Sequence, residues 1–263
     1  VYKASQKVFG TPTAVKIVTR LMDKGLLKPN NRYVNLILNH TDFSNARAAV
    51  NSLPVSGTLN VTNLCNYRCK FCEIHFFYPF AREKSGTVFA NNLTVDDLKK
   101  HDGWLRTIFT LELSGATGEP FINPHFLDIV RYLKKQYPHI ILTATTNGSL
   151  ISRQHIDALI DAKFDRLLFS VHGGDPETYK LLQGHDFNKI VTMIKYFAAR
   201  KKERGSRSPV LAINFALNKM NAKSVFNLID TFQGVDLDFI HIQHYYDTRN
   251  IMKVDRPIEE ISY

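Results

Sequence analysis

From residue 57 onward the chain alternates short apolar or β-branched runs with longer segments whose apolar positions recur every three or four residues. The short runs predict strands at Thr58–Val61, Phe109–Leu113, Ile140–Thr145, Arg166–Val171, Val210–Ala216 and Phe239–Gln243. Amphipathic helices are expected between them, at Phe126–Leu133, Ser152–Leu159, Lys189–Phe197 and Ala222–Phe232. Strands separated by helices imply right-handed crossovers and a parallel sheet. An open doubly wound sheet and a complete or partial barrel both fit that order. In either, the chemistry belongs at the C-terminal ends of the strands.

Residues 1–55 have a different character. Pro12 followed by Ala14, Val15, Ile17, Val18, Leu21 and Met22 makes a helical stripe ending near Gly25, and a second helical patch is expected from Phe43, Ala46 and Ala49 to Pro54. This region reads as a helical N-terminal cap, residues 56–246 as the main domain, and residues 247–263 as a C-terminal extension expected to be cut short. The stretch Glu73–Asn92 lacks periodicity and carries Phe76, Phe77, Tyr78, Pro79 and Phe80, which marks it as a binding loop or lid.

Composition narrows the picture only a little. The 263 residues are 44% hydrophobic and 22% charged, ordinary for a globular protein with a sizeable core. No uninterrupted apolar run nears the ~18 residues of a membrane span, and no signal peptide opens the chain, so a soluble cytoplasmic protein is expected. Lys and Arg number 34 against 24 Asp and Glu, a net charge of +10. The basic residues are densest at Arg200, Lys201, Lys202, Arg204 and Arg207. Such a run can contact nucleic acid or an acidic peptide, or simply end a solvated helix. No aromatic residues interleave with the charges as in a base-stacking surface, which favours the helix end.

The cysteines change the picture most. There are three, Cys65, Cys69 and Cys72, all in the loop after the first predicted strand. An odd number at this spacing is no disulfide framework. Three thiolates in one loop can hold three irons of a cubane cluster and leave the fourth iron open to a substrate or cofactor. Zinc is the alternative, with His75 as a conceivable fourth ligand, although structural zinc usually takes its thiolates in paired motifs.

The run Cys65-Asn66-Tyr67-Arg68-Cys69-Lys70-Phe71-Cys72 resembles the CxxxCxΦC motif of the radical S-adenosylmethionine (SAM) superfamily, with Phe71 in the aromatic place. The resemblance spans about residues 57–245 and continues through motifs in the family's order. Gly115-Ala116-Thr117-Gly118-Glu119-Pro120 is similar to the Gly-Gly-Glu-Pro turn near the SAM amino group, with Thr117 in place of its first glycine. Thr146-Asn147-Gly148 resembles the segment lining the SAM pocket, and Ser170-Val171-His172-Gly173 one whose serine faces the ribose. Gln183 stands where many relatives carry an Arg for the SAM carboxylate, and Asn214 lies on the strand that contacts adenine.

The resemblance implies a partial (β/α)6 TIM-type barrel, an α/β fold, with a [4Fe-4S] cluster on Cys65, Cys69 and Cys72 and SAM held by Phe71, Gly118, Glu119, Asn147, Ser170, Gln183 and Asn214. It further implies an oxidoreductase-type enzyme in which an external flavodoxin- or ferredoxin-type donor reduces the cluster. SAM then yields methionine and a 5′-deoxyadenosyl radical that takes a hydrogen atom from a peptide or small polar metabolite. The same core serves glycyl-radical-enzyme activases, and the contrasting non-enzyme reading is a zinc-stabilised nucleic-acid binder. With no fourth cysteine among these residues, no auxiliary cluster can be built here from thiolates alone and no thiol can donate hydrogen to a substrate radical; Tyr78, Tyr245 or His172 would have to assist. His241, Gln243 and Tyr245 alternate onto one face and are expected near the substrate.

Overall fold

The computed structural model describes residues 31–46, 48–50, 52–72, 92–100, 102–115 and 118–245, together with Lys16, Ile17, Arg20, Leu21, Lys24 and Gly25. The aromatic segment 76–80, His75, Thr117 and the extension 247–263 lie outside the described residues. Of the N-terminal stripe, Ile17 and Leu21 are described, and both are helical.

Six parallel strands form one sheet in sequence order: β1 (Ser56–Thr58), β2 (Thr110–Glu112), β3 (Ile141–Thr146), β4 (Arg166–Ser170), β5 (Val210–Leu217) and β6 (Phe239–His244). Each strand pairs with the next, so the order never reverses as a doubly wound sheet must. The described helices are α1 (Arg32–Ser44), α2 (Val95–Lys100), α3 (Phe126–Gln136), α4 (Arg153–Asp161), α5 (Pro176–Gln183), α6 (Phe187–Glu203) and α7 (Val225–Thr231). The result is an open, partial barrel. None of the described helices is long and apolar enough to cross a membrane.

Alternation along the strands explains why helices cover one face. Leu111, Leu142, Ala144, Leu167, Phe169, Leu211, Ile213 and Phe215 are wholly buried in the main core. They meet the apolar stripes of the crossover helices, such as Phe126, Ile129, Val130 and Leu133 on α3 and Ile190, Ile194 and Phe197 on α6. The intervening residues, among them Glu112, Thr145, Ser170 and Asn214, are only half-buried. Helix ends are set locally. Ser152 and His155 form a reciprocal capping box on α4, Asp175 and Asp186 cap α5 and α6, and Pro176 opens α5.

Two predicted elements differ. Instead of running Thr58–Val61, β1 ends at Thr58. Beyond it the backbone turns toward residues 92–93: Leu93 N donates to Val61 O and Thr62 bridges Asn92 in antiparallel fashion. The expected helical patch ending at Pro54 is instead the tail of α1, which stops at Ser44, with Ala46 at φ 47°. Residues 52 and 53 lie in no helix or strand, and their amides bond to side chains on α1, Ser52 N to Asp42 and Leu53 N to Asn35. Polar side chains of α1 thus supply the partners that a second helix would have supplied from its own backbone.

The N-terminal ends of the strands share a repeated device. Asp165, just before β4, accepts from Leu142 N at 2.8 Å and from Lys134 Nζ at 2.6 Å. Asp238, just before β6, accepts from Leu211 N at 2.8 Å and from Lys201 Nζ at 2.9 Å. The Lys201 side chain is only 6% exposed, so its charge depends on that partner. Asp238→Ala is expected to cost about 2–3 kcal/mol by stranding a buried ammonium, and Lys201→Met less, because it removes the charge too. Urea unfolding of the two variants checks the order.

Candidate functional site

At the opposite, C-terminal ends of the strands, the loop after β1 carries Cys65, Cys69 and Cys72, all half-buried and unbridged. Three backbone contacts hold the loop. Leu64 O accepts from Glu119 N at 2.7 Å, Lys70 N donates to Leu182 O at 2.7 Å, and Cys72 N donates to Cys69 O at 3.0 Å. Tyr67 N donates to Cys65 Sγ at 3.4 Å. Burial pushes the Cys65 thiol up and the Cys69 thiol up to about 12, the neighbouring thiolates adding to the effect. Three thiolates this close need positive charge among them, which metal ligation provides. Among the described residues no three His, Cys, Asp or Glu side chains converge on a point that could hold one metal ion. Three thiols in one loop supply three corners of a cluster, whereas a structural zinc usually takes four ligands.

The cavity has a volume of about 480 Å³ and brings the three cysteines together with Phe71, Glu119, Asn147, Ser170, His172, Gln183, Asn214 and Tyr245. Gly118 lies beside this wall at φ 90°, where an added Cβ would sit 2.2 Å from Thr62 O. Only glycine fits there, and its position sets the depth at which the following Glu119 enters.

Glu119 is buried, and both carboxylate oxygens are engaged. Oε1 accepts from Thr146 Oγ1 at 2.6 Å and Phe121 N at 3.3 Å, and Oε2 from Asn147 N at 2.7 Å. Burial lifts its carboxyl to about 6, while the three donors pull it down. Asn147 continues the network through Asn66 to Ser149. Gln183 is equally committed: its Oε1 accepts from His172 N at 2.7 Å and its Nε2 donates to Ser170 O at 3.0 Å, bracing the end of β4. His172 Nδ1 accepts from Ala216 N at 3.0 Å, which puts the ring proton on Nε2. Its burial lowers it to about 4, so it is neutral near pH 7.

Asn214 Oδ1 differs from these. It is buried and has no hydrogen-bond partner, and Asn214 lies in register with Ser170 on one side and His241 on the other. A buried acceptor without a donor is costly unless a ligand supplies one. Phe71 packs edge-on against His172 and Tyr245, with ring centroids 5.0 and 5.5 Å away, and Tyr245 donates to Phe71 O at 3.3 Å. From β6, Gln243, His244 and Tyr245 reach the cavity, whereas His241 pairs alongside Asn214 outside its lining.

The sequence alone assigns no role to Asn66, Asn123 and Asn221. Asn123 Nδ2 donates to Val61 O and Leu93 O, and Asn221 Nδ2 to His172 O and Ala216 O. Their signal was the Asn-Pro after the Gly-rich turn and the Asn-x-x-Asn after β5. Asn218 serves the turn before α7, accepting from Met220 N.

Comparison with known proteins agrees with this arrangement. Residues 59–228, more than half of the chain, match the family described as the Radical SAM superfamily. The chain belongs to the radical SAM superfamily. Its relatives include the probable GTP 3',8-cyclase of Saccharolobus islandicus (strain M.14.25 / Kamchatka #1), 28% identical over 70% of this chain and 54% of that protein. Another is the tungsten-containing aldehyde ferredoxin oxidoreductase cofactor-modifying protein of Pyrococcus furiosus, 27% identical over 68% and 48%. The chain thus spans about half the length of the curated relatives it matches. Among solved radical SAM folds, Streptococcus suis SuiB bound to precursor peptide SuiA superposes with a TM-score of 0.63 at 16% identity, covering 93% of this chain and 55% of SuiB. Radical SAM enzymes use a [4Fe-4S] cluster and SAM.

Two measurements probe the radical SAM cavity wall. Gly118→Ala is expected to cost about 2–4 kcal/mol in urea unfolding, since the methyl group meets backbone rather than a movable side chain. For His172 the folded-state value lies below the ordinary 6.5, so its contribution is present above pH 6.5 and is lost as pH falls toward 4. The cluster-free chain should lose about 2 kcal/mol more between pH 7 and pH 5 than the His172→Asn variant, whose Oδ1 replaces Nδ1 as acceptor.

Proposed function

We propose that the chain carries the SAM-cleaving core of an enzyme that abstracts a hydrogen atom from a peptide or a small polar metabolite. The observation that carries this reading is the meeting, in one cavity, of three thiols from a single loop with the polar ends of β2–β5. The residues present fit the family's cofactors. Three thiols leave one corner of a cubane open, and the unpartnered Asn214 Oδ1 awaits a donor on the facing wall.

When bound, the cluster and SAM supply one-electron C–S cleavage and hydrogen-atom abstraction. Cys65, Cys69 and Cys72 would hold the cluster. The Gly118–Glu119 turn, Asn147 and Ser170 would line the SAM, with Asn214 Oδ1 accepting from an amino group. The roles of Glu119 and Gln183 are indirect: with their polar atoms already bonded, they keep the turn and the end of β4 in place. Phe71 closes one side of the cavity, and Gln243 and Tyr245 border the space left for substrate. His172, neutral and held through Nδ1, offers its Nε2–H as a fixed donor. The two substrate classes draw support from different relatives: the curated ones are named for acting on GTP and on a cofactor, and SuiB was solved with a precursor peptide.

Anaerobic reconstitution with iron and sulfide, followed by SAM and a strong reductant, tests the reading. The wild type is expected to take up about four irons and to release 5′-deoxyadenosine. Cys65→Ala and Cys69→Ala should hold no intact cluster and fall to background. A Cys69→Ala protein that keeps both the cluster and the product would overturn the assignment.

A further inference from the structure

A second hollow lies outside the barrel, against the cysteine loop. It is a groove of about 690 Å³ between α4 and α6, floored by Tyr67, Ile190, Met193 and Tyr196 and flanked by Arg153 and Lys189. We infer that this groove docks the acidic one-electron carrier protein, of the flavodoxin class, that reduces the cluster; the inference rests on the SAM-cleaving reading above.

Three observations carry it. First, the groove reaches the site directly. Tyr67 sits between Cys65 and Cys69, its amide donates to Cys65 Sγ, and its ring stacks on His185 with centroids 3.6 Å apart and planes 9° from parallel. Second, the cations in and next to the groove form no ion pair among the described residues. Arg68, Arg153 and Lys189 are exposed and have no carboxylate partner among the described residues. The basic run at the end of α6 is largely paired, Arg200 and Arg204 with Asp157 and Asp161, and Lys201 with Asp238. The groove's own acid, Asp186, keeps its charge while capping α6, so with Arg153 and Lys189 the groove's lining carries a net positive charge.

Third, the positions of the cations run against local preference. Arg153 is the first residue of α4 and Lys189 the third of α6, in first turns where the helix dipole favours acids. Arg153 is held at the groove by lying over the Tyr196 ring, 4.9 Å from its centroid. A cationic rim around an aromatic and apolar floor matches a carrier whose acidic surface surrounds an exposed planar redox group. Such encounters need only a small interface. The step balances as one electron passing from the reduced carrier to the oxidised cluster.

The test uses the cluster-loaded chain and the Arg153→Glu/Lys189→Glu double variant. Glutamate suits both helix starts, so folding is not endangered. Binding of flavodoxin is followed by calorimetry, and cluster bleaching by stopped flow with reduced flavodoxin or with dithionite. At low salt the variant should bind and be bleached by flavodoxin about tenfold or more weakly and slowly, with dithionite bleaching within about twofold of wild type. The wild-type flavodoxin rate should fall steeply with added salt. Equal flavodoxin rates in the two proteins would overturn the proposal and leave the groove to another acidic ligand, such as a peptide. Parallel loss with both reductants would also overturn it, since the damage would then lie at the cluster. A wild type that is bleached by flavodoxin but makes no deoxyadenosine would sink the SAM-cleaving reading while the docking result still stood.

Discussion

The site depends on one buried carboxylate. Glu119 receives three donors, from Thr146, Asn147 and Phe121, while its own amide is tied to Leu64 O, one residue before the first cysteine. The turn after β2, the end of β3 and the start of the cysteine loop are therefore joined through a single residue. Burial wins the contest over its proton, lifting the carboxyl to about 6, which corresponds to a cost of about 2 kcal/mol to the ionised form. A fold tolerates that cost where the bonds secure a geometry that apolar packing cannot specify.

The two ends of the sheet use polar groups for different purposes. At the N-terminal ends, Asp165 and Asp238 each bind a neighbouring strand's amide and a lysine from a crossover helix, which fixes helix against strand. At the C-terminal ends the polar side chains bond to backbone across strand boundaries: Gln183 to His172 and Ser170, His172 to Ala216, Asn221 to both. These struts leave the cavity walls rigid and most of their acceptors satisfied. Against that background the unpartnered Asn214 Oδ1 and the three thiols outside any disulfide are the groups placed to meet a ligand.

Much of this was legible in the residues because its causes are local. The spacing of Cys65, Cys69 and Cys72 puts three thiols in one loop whatever surrounds it, and period-two strands alternating with period-3.6 helices give a parallel α/β sheet before any contact is known. Strands β2 to β6 lie where the apolar runs put them, β1 meets its run only at Thr58, and Ser152 announces the start of α4. The failures lie where local pattern and long-range bonding disagree. The β-branched Val61 reads as the end of the first strand, yet its carbonyl accepts from Leu93 N and Asn123 Nδ2. The segment before Pro54 read as helix, yet Asn35 and Asp42 on α1 take its amides.

The sequence by itself determined the fold class, the family and three candidate ligands for a cluster, since each follows from residue type and spacing along the chain. Tertiary structure alone decided which polar residues stay available. Gln183 and Glu119 look like free ligands in the sequence, and the fold gives both of them internal hydrogen bonds, while Asn214, indistinguishable there from Asn218, keeps an unanswered acceptor. The same holds for charge: Arg200 and Arg153 are alike until the fold sets acids beside one and an open groove beside the other. A hydrogen bond or ion pair is a property of two residues brought within about 3 Å, and those pairs lie tens of positions apart in the chain.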